Sequence, residues 1–202
     1  MTLYRKLFLA FLLLVPVEVF LYLYVDLNLY VELKQRTSFV DAFFRAITQL
    51  GLSEVWLAPS LLLFLFFTFV KKNPYLAHKL LFLFSSVAVS GAINMLLKML
   101  LGRHRPAMYE AHDLYGFDFF EYSSFHLSFP SGHTNTVFAV AMVFYFWFPK
   151  KALWIFTAAV IISLSRVVIA KHYLSDVIAG AFVAIVIAFV WRSIYEKKGW
   201  QF

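Results

Sequence analysis

The chain contains no cysteine among its 202 residues, and charged residues make up 14% of it. Without cysteine it can form neither a disulfide nor a thiolate metal site. About a quarter of the residues of a typical soluble domain are charged, so the polar groups here are too few to cover a globular surface. These absences exclude a disulfide scaffold, a thiolate metalloprotein and an ordinary soluble domain.

Apolar residues take the place of the missing charge, since 62% of the chain is hydrophobic and 20% is aromatic. Six segments approach the roughly 20 mostly apolar residues that a membrane-spanning helix needs. They cover residues 7–25, 54–70, 76–101, 131–148, 152–170 and 176–191. We therefore predict an all-α, polytopic membrane protein with six transmembrane helices and additional interfacial helices. Because these segments run nearly end to end, residues 1–202 are expected to form a single membrane-embedded domain.

Two connections between these segments are long. In residues 26–53, Phe39, Phe43 and Ile47 recur near helical spacing, which predicts a helix lying at the membrane interface. The second connection, residues 102–130, is rich in Tyr and Phe. Aromatic residues favour the headgroup level, so the aromatic segment 107–129 is expected on the membrane surface. Its sequence favours interface anchoring over a specific acyl pocket and leaves a lid role open.

The distribution of Lys and Arg predicts the orientation, because cytoplasmic loops carry an excess of both. With both termini in the cytoplasm, nine cations lie inside, namely Arg5, Lys6, Lys71, Lys72, Lys150, Lys151, Arg192, Lys197 and Lys198. Six lie outside, namely Lys34, Arg36, Arg45, Arg103, Arg105 and Lys171. The formal net charge of +7 then meets anionic headgroups and does not indicate a nucleic-acid partner.

This orientation brings the ends of four predicted helices to one depth on the non-cytoplasmic face. Lys98, Arg103, Arg105 and Arg166 supply positive charge there, while Asp176 is the one acid that the sequence places among them. Charged residues at membrane depth usually mark function, and arginine forks match phosphate oxygens. An excess of fixed cations therefore predicts a site for a multiply charged anion. Ser131 and the N–H groups of Gly132 and His133, at a helix start, add donors suited to phosphate.

Two histidines supply the remaining chemistry. His172 and Asp176 are spaced i, i+4, so the carboxylate can fix the imidazole tautomer and leave the other ring nitrogen free to attack. His133 comes from another helix and could protonate the leaving oxygen. This pattern predicts a two-step phosphoryl transfer through a phosphorylated His172, with bell-shaped pH dependence and no metal or other cofactor.

Together these pieces resemble the three-part signature of the type 2 phosphatidic acid phosphatase family. The matching stretches are Lys98-x6-Arg105-Pro106, Pro130-Ser131-Gly132-His133 and Ser165-Arg166-x5-His172-x3-Asp176. The resemblance implies that His172 is the nucleophile, Asp176 its orienting partner and His133 the general acid. It also implies phosphate binding by Lys98, Arg105, Ser131, Gly132 and Arg166, and Arg103 matches an extra arginine that is common beside the first motif.

The resemblance implies an integral membrane phosphatase acting on lipid phosphate monoesters or pyrophosphates, in a bacterial inner membrane with its site facing the periplasm. Lipid A 1-phosphate, phosphatidylglycerophosphate and undecaprenyl pyrophosphate all fit, and the motif spacing does not choose among them or predict an oligomeric state. A lipid-to-lipid phosphotransferase or a sugar-phosphate phosphatase is an alternative within the family. An anion transporter is a more distant one, because transporters often carry internal repeats and midplane charges, which this sequence lacks.

Four further polar residues lie outside the signature. Glu18 falls deep in the first predicted helix, where a structural pair is the favoured interpretation and a role in substrate entry is the alternative. His104, His112 and His126 raise the question of a metal site. Their uneven spacing in a loop favours histidines that face solvent or headgroups, so the sequence predicts no metal centre.

Overall fold

The computed structural model describes residues 2–35 and 37–200, which form nine α-helices and no strand. The helices are α1 Leu3–Phe20, α2 Asp26–Leu33, α3 Ser38–Ile47, α4 Glu54–Leu65, α5 Pro74–Leu101, α6 Pro106–His112, α7 Gly132–Trp147, α8 Ala152–Val168 and α9 Leu174–Lys197. Two π-helical turns, Leu21–Val25 and Phe66–Val70, continue α1 and α4. The predicted all-α class is confirmed.

Within the described residues, five helical stretches are long and apolar enough to cross a membrane, and they are Tyr4–Leu33, Ser38–Val70, Pro74–Leu101, Pro149–Val168 and Leu174–Lys197. The fourth predicted segment forms α7, which has 16 residues. At 1.5 Å per residue α7 is about 24 Å long, shorter than a hydrocarbon core of about 30 Å. The six predicted spans thus correspond to five full-length stretches and one shorter helix in this integral membrane protein.

The first span extends beyond its predicted end. The prediction stopped at Val25 because a charged residue, Asp26, follows. In the structure the π-helical turn leads directly into α2, and Asp26 is 1% exposed. A carboxylate can be buried at this depth when a cation pairs with it, and Arg103 does so here. The helix therefore continues through the acid instead of ending at it.

The helix predicted in the first long connection is α3. Thr37 caps its start by accepting a hydrogen bond from Val40 N at 3.5 Å, and none of the α3 residues is buried. A short 3-10 turn, Thr48–Gly51, joins α3 to α4 and is itself partly buried. Arg36, one of the cations counted for the orientation, lies outside the described residues.

The centre of the bundle is α7, which packs against α5, α8 and α9. Every residue from Thr134 to Val143 is buried. Where α9 crosses the start of α7, a Cβ added at Gly180 would lie 2.5 Å from Ser131 O. Glycine at this position therefore permits the close approach that fixes the beginning of α7 against α9.

The outward-facing surface is apolar. Large hydrophobic side chains are exposed on several helices, with Leu13 72% exposed on α1 and Trp154 74% exposed on α8. Contiguous apolar surface of this kind needs lipid to cover it. The distribution agrees with the membrane assignment made from composition.

Backbone hydrogen bonds order the loop between α6 and α7, residues 113–131, which we call the aromatic loop. Arg103 and Phe117 form an isolated antiparallel bridge. Arg105 N donates to Phe125 O at 2.9 Å, and Ser128 N donates to Arg103 O at 3.0 Å. The chain leaving α5 thus lies beside both the middle and the end of the aromatic loop.

Candidate active site

His172 lies in the turn before α9, and Asp176 lies in the first turn of that helix. His172 Nδ1 is 3.2 Å from Asp176 Oδ2. The same carboxylate oxygen accepts from Tyr173 N at 2.9 Å and from the Ser128 hydroxyl. Both members of the pair are buried. The predicted i, i+4 contact is present, and with Nδ1 directed at the carboxylate the Nε2 atom of His172 is the ring nitrogen left for chemistry.

The surroundings of His172 favour its neutral form. Complete burial lowers the pKa of His172 well below its ordinary value, because the charged imidazolium is poorly solvated there. The hydrogen bond to Asp176 opposes this shift, whereas the positive charges of Lys98 and Arg105 reinforce it. The imidazole is therefore neutral at neutral pH, which is the form that can attack phosphorus.

Arg103 is enclosed behind this pair. Its Nη1 donates to Asp176 Oδ1 at 2.6 Å, and its Nη2 donates to Asp26 Oδ2 at 2.8 Å. The guanidinium also lies 4.6–6.0 Å from the centroids of five aromatic rings, those of Tyr22, Tyr115, Phe117, Phe129 and Tyr173. Arg103 itself is 0% exposed. The expectation that Arg103 binds phosphate is therefore revised, because its two amino groups are directed at carboxylates.

Asp26 completes this buried network. Its Oδ1 accepts from Ser175 N at 3.1 Å, and its Oδ2 accepts from the Ser175 hydroxyl as well as from Arg103. It thereby ties α2 to the first turn of α9, next to Asp176. Sequence reasoning gave Asp26 no role and counted Asp176 as the one acid near the cations. The sequence signal that could have pointed to Asp26 is the presence of an acidic residue at membrane depth.

Lys98 and Arg105 converge on the end of the aromatic loop. Lys98 Nζ donates to Leu127 O at 2.7 Å and to Ser128 O at 3.2 Å. Arg105 Nη2 donates to Leu127 O at 3.3 Å. Both cations also lie within electrostatic range of the two histidines of the predicted site. Lys98 and Arg105, two of the predicted phosphate ligands, therefore lie close enough to act electrostatically on both His133 and His172.

A cavity of about 490 Å³ opens at the start of α7. Its lining includes Lys98, Gly132 and His133, together with residues 51–54 at the start of α4. Gly51 packs directly on the imidazole, since a Cβ added there would lie 3.0 Å from His133 Cδ2. His133 is thus placed at the cavity wall by α7 and held from the other side by the turn before α4.

Ser131 and Arg166 are anchored beside this cavity without lining it. Ser131 N donates to Asp176 O at 2.8 Å, so the start of α7 is tied to α9. Arg166 Nη1 donates to Thr48 Oγ1 at 3.1 Å, which ties α8 to the 3-10 turn. Thr48 and Gly51 carry no sequence signal for this role, because the sequence marks them simply as part of an interfacial connection.

The nine predicted residues thus fall into two layers. Lys98, Gly132 and His133 line the cavity. His172, Asp176 and Arg103 form a buried layer beside it. Arg105, Ser131 and Arg166 connect the two layers through loop, helix-start and turn contacts.

Glu18 does not form the structural pair expected for it. Neither of its carboxylate oxygens has a hydrogen-bond partner among the described residues, and both are buried. Glu18 lines a separate cavity of about 220 Å³ together with Arg103 and Ser175. It therefore lies beside the buried network and outside the cavity at the start of α7.

Fold and site define a helical membrane protein whose three sequence motifs meet at one cationic, two-histidine centre. Comparison with known proteins gives the family. The sequence profile of the PAP2 superfamily matches residues 79–200, which contain all three motifs. The chain belongs to the PAP2 superfamily, the type 2 phosphatidic acid phosphatases that the motifs predicted.

Two curated relatives come from Rhizobium species, and both are named lipid A 1-phosphatase. The Rhizobium etli protein is 37% identical over 99 residues, covering 49% of this chain and 43% of the relative. The Rhizobium johnstonii protein is 38% identical over 99 residues, covering 49% of this chain and 41% of the relative. The matched part of the chain spans less than half the length of either relative.

Two solved structures share the fold. Aquifex aeolicus LpxE superposes with a TM-score of 0.61 and 24% identity, over 84% of this chain and 95% of that one. The first transmembrane PAP2-type phosphatidylglycerolphosphate phosphatase from Bacillus subtilis superposes with a TM-score of 0.68 and 24% identity, over 96% of each chain. At this identity the likeness supports the architecture described above.

Proposed function

We propose that this chain is a membrane phosphatase that hydrolyses a lipid phosphate through a phosphorylated His172. The single observation that carries the proposal is that the His172–Asp176 pair and His133 surround the same cations. Both lie within electrostatic range of Lys98 and Arg105. A neutral nucleophile, an acid and a cationic clamp around one position are the groups that phosphoryl transfer requires.

The shape of the cavity favours a lipid as the substrate. Its lining follows α5 from Lys98 back to Val87 and includes the small residues Ala88, Gly91 and Ala92. Val87 and Lys98 are eleven positions apart, which corresponds to about 16 Å along the helix. A charged end beside Lys98 and an apolar extension of that length suit a phosphate attached to a hydrophobic molecule, whereas a sugar phosphate would leave the apolar part unfilled.

In the first step, the phosphate oxygens bind Lys98, Arg105, Arg166 and the N–H groups at the start of α7. His172 Nε2 attacks the phosphorus atom, so an N–P bond forms as the bond from phosphorus to the lipid oxygen breaks. His133 donates a proton to that departing oxygen, and the dephosphorylated lipid leaves as an alcohol or a shorter phosphate. Asp176 stabilises the positive charge that develops on the His172 ring.

In the second step, water attacks the phosphorus atom of phosphorylated His172. His133, now neutral, accepts a proton from that water. The N–P bond breaks, inorganic phosphate is released, and His172 returns to its neutral state. The cations stabilise the charge on the transferring phosphoryl group in both steps, which is the dominant contribution to such reactions.

Asp26 and Arg103 have a positioning role in this proposal. Arg103 holds one carboxylate oxygen of Asp176 while His172 uses the other. Asp26 in turn holds Arg103. Because Asp176 is fixed from behind, the imidazole of His172 is held in one orientation through its Nδ1 atom. This replaces the phosphate-binding role that the sequence suggested for Arg103.

Lipid A 1-phosphate is the first substrate to test, since both Rhizobium relatives carry that activity in their names. We further propose that the enzyme resides in a bacterial inner membrane as one domain, with both termini in the cytoplasm and the cavity on the periplasmic side. The Lys and Arg distribution supports this orientation.

A phosphate-release panel tests the function. Purified full-length protein in detergent is given lipid A, phosphatidylglycerophosphate, undecaprenyl pyrophosphate and a soluble sugar phosphate. We expect release from at least one lipid at a rate far above that from the sugar phosphate. His172→Asn should abolish release, and His112→Asn, which changes an exposed histidine at the end of α6, should retain it.

The outcomes separate the alternatives. Retained activity in His172→Asn removes His172 as the nucleophile. Preference for the sugar phosphate removes the lipid assignment.

A lipid substrate carrying a radiolabelled phosphate separates hydrolysis from transfer. Label that moves to a second lipid instead of appearing as inorganic phosphate indicates a phosphotransferase. Trapped label on the wild-type protein, absent in His172→Asn, supports the covalent intermediate.

A further inference from the structure

A second cluster of ionisable side chains joins the connection between α5 and α6 to the loop between α6 and α7, apart from the proposed catalytic centre. His104 Nε2 is 3.2 Å from Asp118 Oδ2, and His126 Nε2 is 3.5 Å from the same oxygen. The two imidazole centroids are 4.7 Å apart. One ligand atom from each residue lies within 4.8 Å of the other two. Three side chains distant in sequence therefore point their donor atoms at one position.

The backbone fixes these three side chains relative to one another. His104 N donates to Gly116 O at 3.0 Å, next to the bridge that joins residues 103 and 117. His126 N donates to Ser123 O at 2.9 Å, and the chain just beyond it is bonded back to residue 103. His104, Asp118 and His126 thus come from three neighbouring backbone segments whose spacing the loop itself maintains.

The separations suit a metal ion with tetrahedral ligands. Zinc binds histidine nitrogen at about 2.0–2.1 Å and carboxylate oxygen at about 2.0–2.2 Å, so two ligand atoms of a tetrahedral site lie about 3.4 Å apart. The two nitrogen–oxygen distances, 3.2 and 3.5 Å, bracket this value. Imidazole and carboxylate are ligand types that zinc accepts.

The burial pattern suits an ion held at the protein surface. The side chains of His104 and His126 are 6% and 17% exposed, whereas that of Asp118 is 56% exposed. Buried imidazoles are pre-oriented ligands, and an open side at the carboxylate leaves room for water as the fourth ligand. A site with three protein ligands and one water is a common zinc arrangement.

We propose that His104, Asp118 and His126 bind one Zn²⁺ ion, which fastens the connection between α5 and α6 to the middle and end of the loop between α6 and α7. The sequence expectation that these loop histidines merely face solvent or headgroups is thereby revised. His126 directly precedes Leu127 and Ser128, whose carbonyls accept from Lys98. The ion would therefore stabilise the loop segment that holds a phosphate-binding lysine, without touching substrate.

Metal titration of the full-length protein tests this site independently of phosphatase activity. Purified protein in detergent is stripped with a chelator and titrated with ZnCl2 by calorimetry, with Co²⁺ absorption as a probe of geometry. We expect one tightly bound ion per chain, a tetrahedral-type Co²⁺ spectrum and a higher melting temperature with zinc. Asp118→Asn and His126→Gln should weaken binding at least about tenfold, since even outer-shell losses cost 10–100-fold.

Two exposed residues at the end of α6 are matched controls. Asp113→Asn and His112→Gln make the same chemical changes outside the cluster and should bind zinc as the wild type does. Because Asp118 is largely exposed, its replacement leaves the fold intact and keeps the test interpretable. The proposal is overturned if the wild type binds no zinc at micromolar free concentration, or if the cluster variants and the controls bind it equally.

Discussion

Arg103 Nη1 lies 2.6 Å from Asp176 Oδ1, on the opposite side of the carboxylate from His172. Each oxygen of Asp176 therefore has its own charged or polar partner, and the carboxylate cannot rotate without losing one of them. In surroundings of low dielectric, contacts of this kind are strong when complete and costly when broken. The orientation of the proposed nucleophile thus depends on residues that never meet the substrate.

Asp26→Asn should lower kcat by about 10–100-fold, the range typical for loss of an outer-shell partner, while KM changes little. The amide keeps the size of the side chain but removes the charge that holds Arg103, so Asp176 is less well fixed. Steady-state kinetics with a micellar lipid phosphate measures both constants. Glu110→Gln is the matched control. That exposed acid lies away from the site and pairs with Lys34 at a distance of 2.8 Å. An increase in KM alone would contradict the positioning role.

Thr48→Val should weaken substrate binding. It removes the hydroxyl that accepts from Arg166 at 3.1 Å, and hydrogen bonds to charged groups contribute about 1.5–3 kcal/mol. With Arg166 less well held, KM should rise about tenfold or more. Thr68→Val serves as the control, since that hydroxyl bonds Phe64 O within its own helix. Equal KM values in the two variants would remove Arg166 positioning from the proposal.

The acid limb of kcat/KM should have its midpoint below pH 6.5, roughly the ordinary pKa of histidine. Burial lowers the pKa of His172, and the neutral form is the nucleophile, so activity persists as the pH falls through 6.5 and is lost at lower pH. Rates of phosphate release over about pH 4–8 measure this limb. A midpoint above pH 6.5 would argue against neutral His172 as the attacking group.

Gly180→Ala should destabilise the protein and reduce phosphate release, because its Cβ would lie 2.5 Å from Ser131 O. Overpacking of this kind costs about 1–3 kcal/mol, which corresponds to a melting temperature lower by roughly 2–12 °C for a chain of this size. Gly91→Ala is the matched control for stability, because an added Cβ there meets nothing within 4 Å. Similar melting temperatures for both variants would show that the α7–α9 contact tolerates displacement.

The motif residues could be predicted from the sequence because their chemistry and order are informative without a fold. His172 and Asp176 are four residues apart at the start of α9, so local spacing predicts their contact. Hydropathy likewise predicted the positions of the spans, although α7 is too short to be a full span. PAP2 membership, predicted from the three motifs, is confirmed by the profile match.

The network around Arg103 could not be predicted in the same way. Asp26 is 77 positions from Arg103 and lies on a different helix, so no periodicity links them. The prediction from sequence therefore included one acid, Asp176, near the cations and omitted Asp26. It also gave Arg103 a phosphate-binding role. Likewise, the contacts of Thr48 with Arg166 and of Gly51 with His133 depend on how the 3-10 turn packs against α7 and α8, which local sequence does not encode.

The shortness of α7 has a consequence for the bilayer itself. At about 24 Å, this helix falls about 6 Å short of the hydrocarbon thickness. If the Trp147 end of α7 lies level with the neighbouring helix ends, His133 at the other end sits below the plane of the lipid headgroups. A lipid must then sink by that amount, or the leaflet must thin locally, so the thickness of the host membrane helps to determine which lipids reach the histidines.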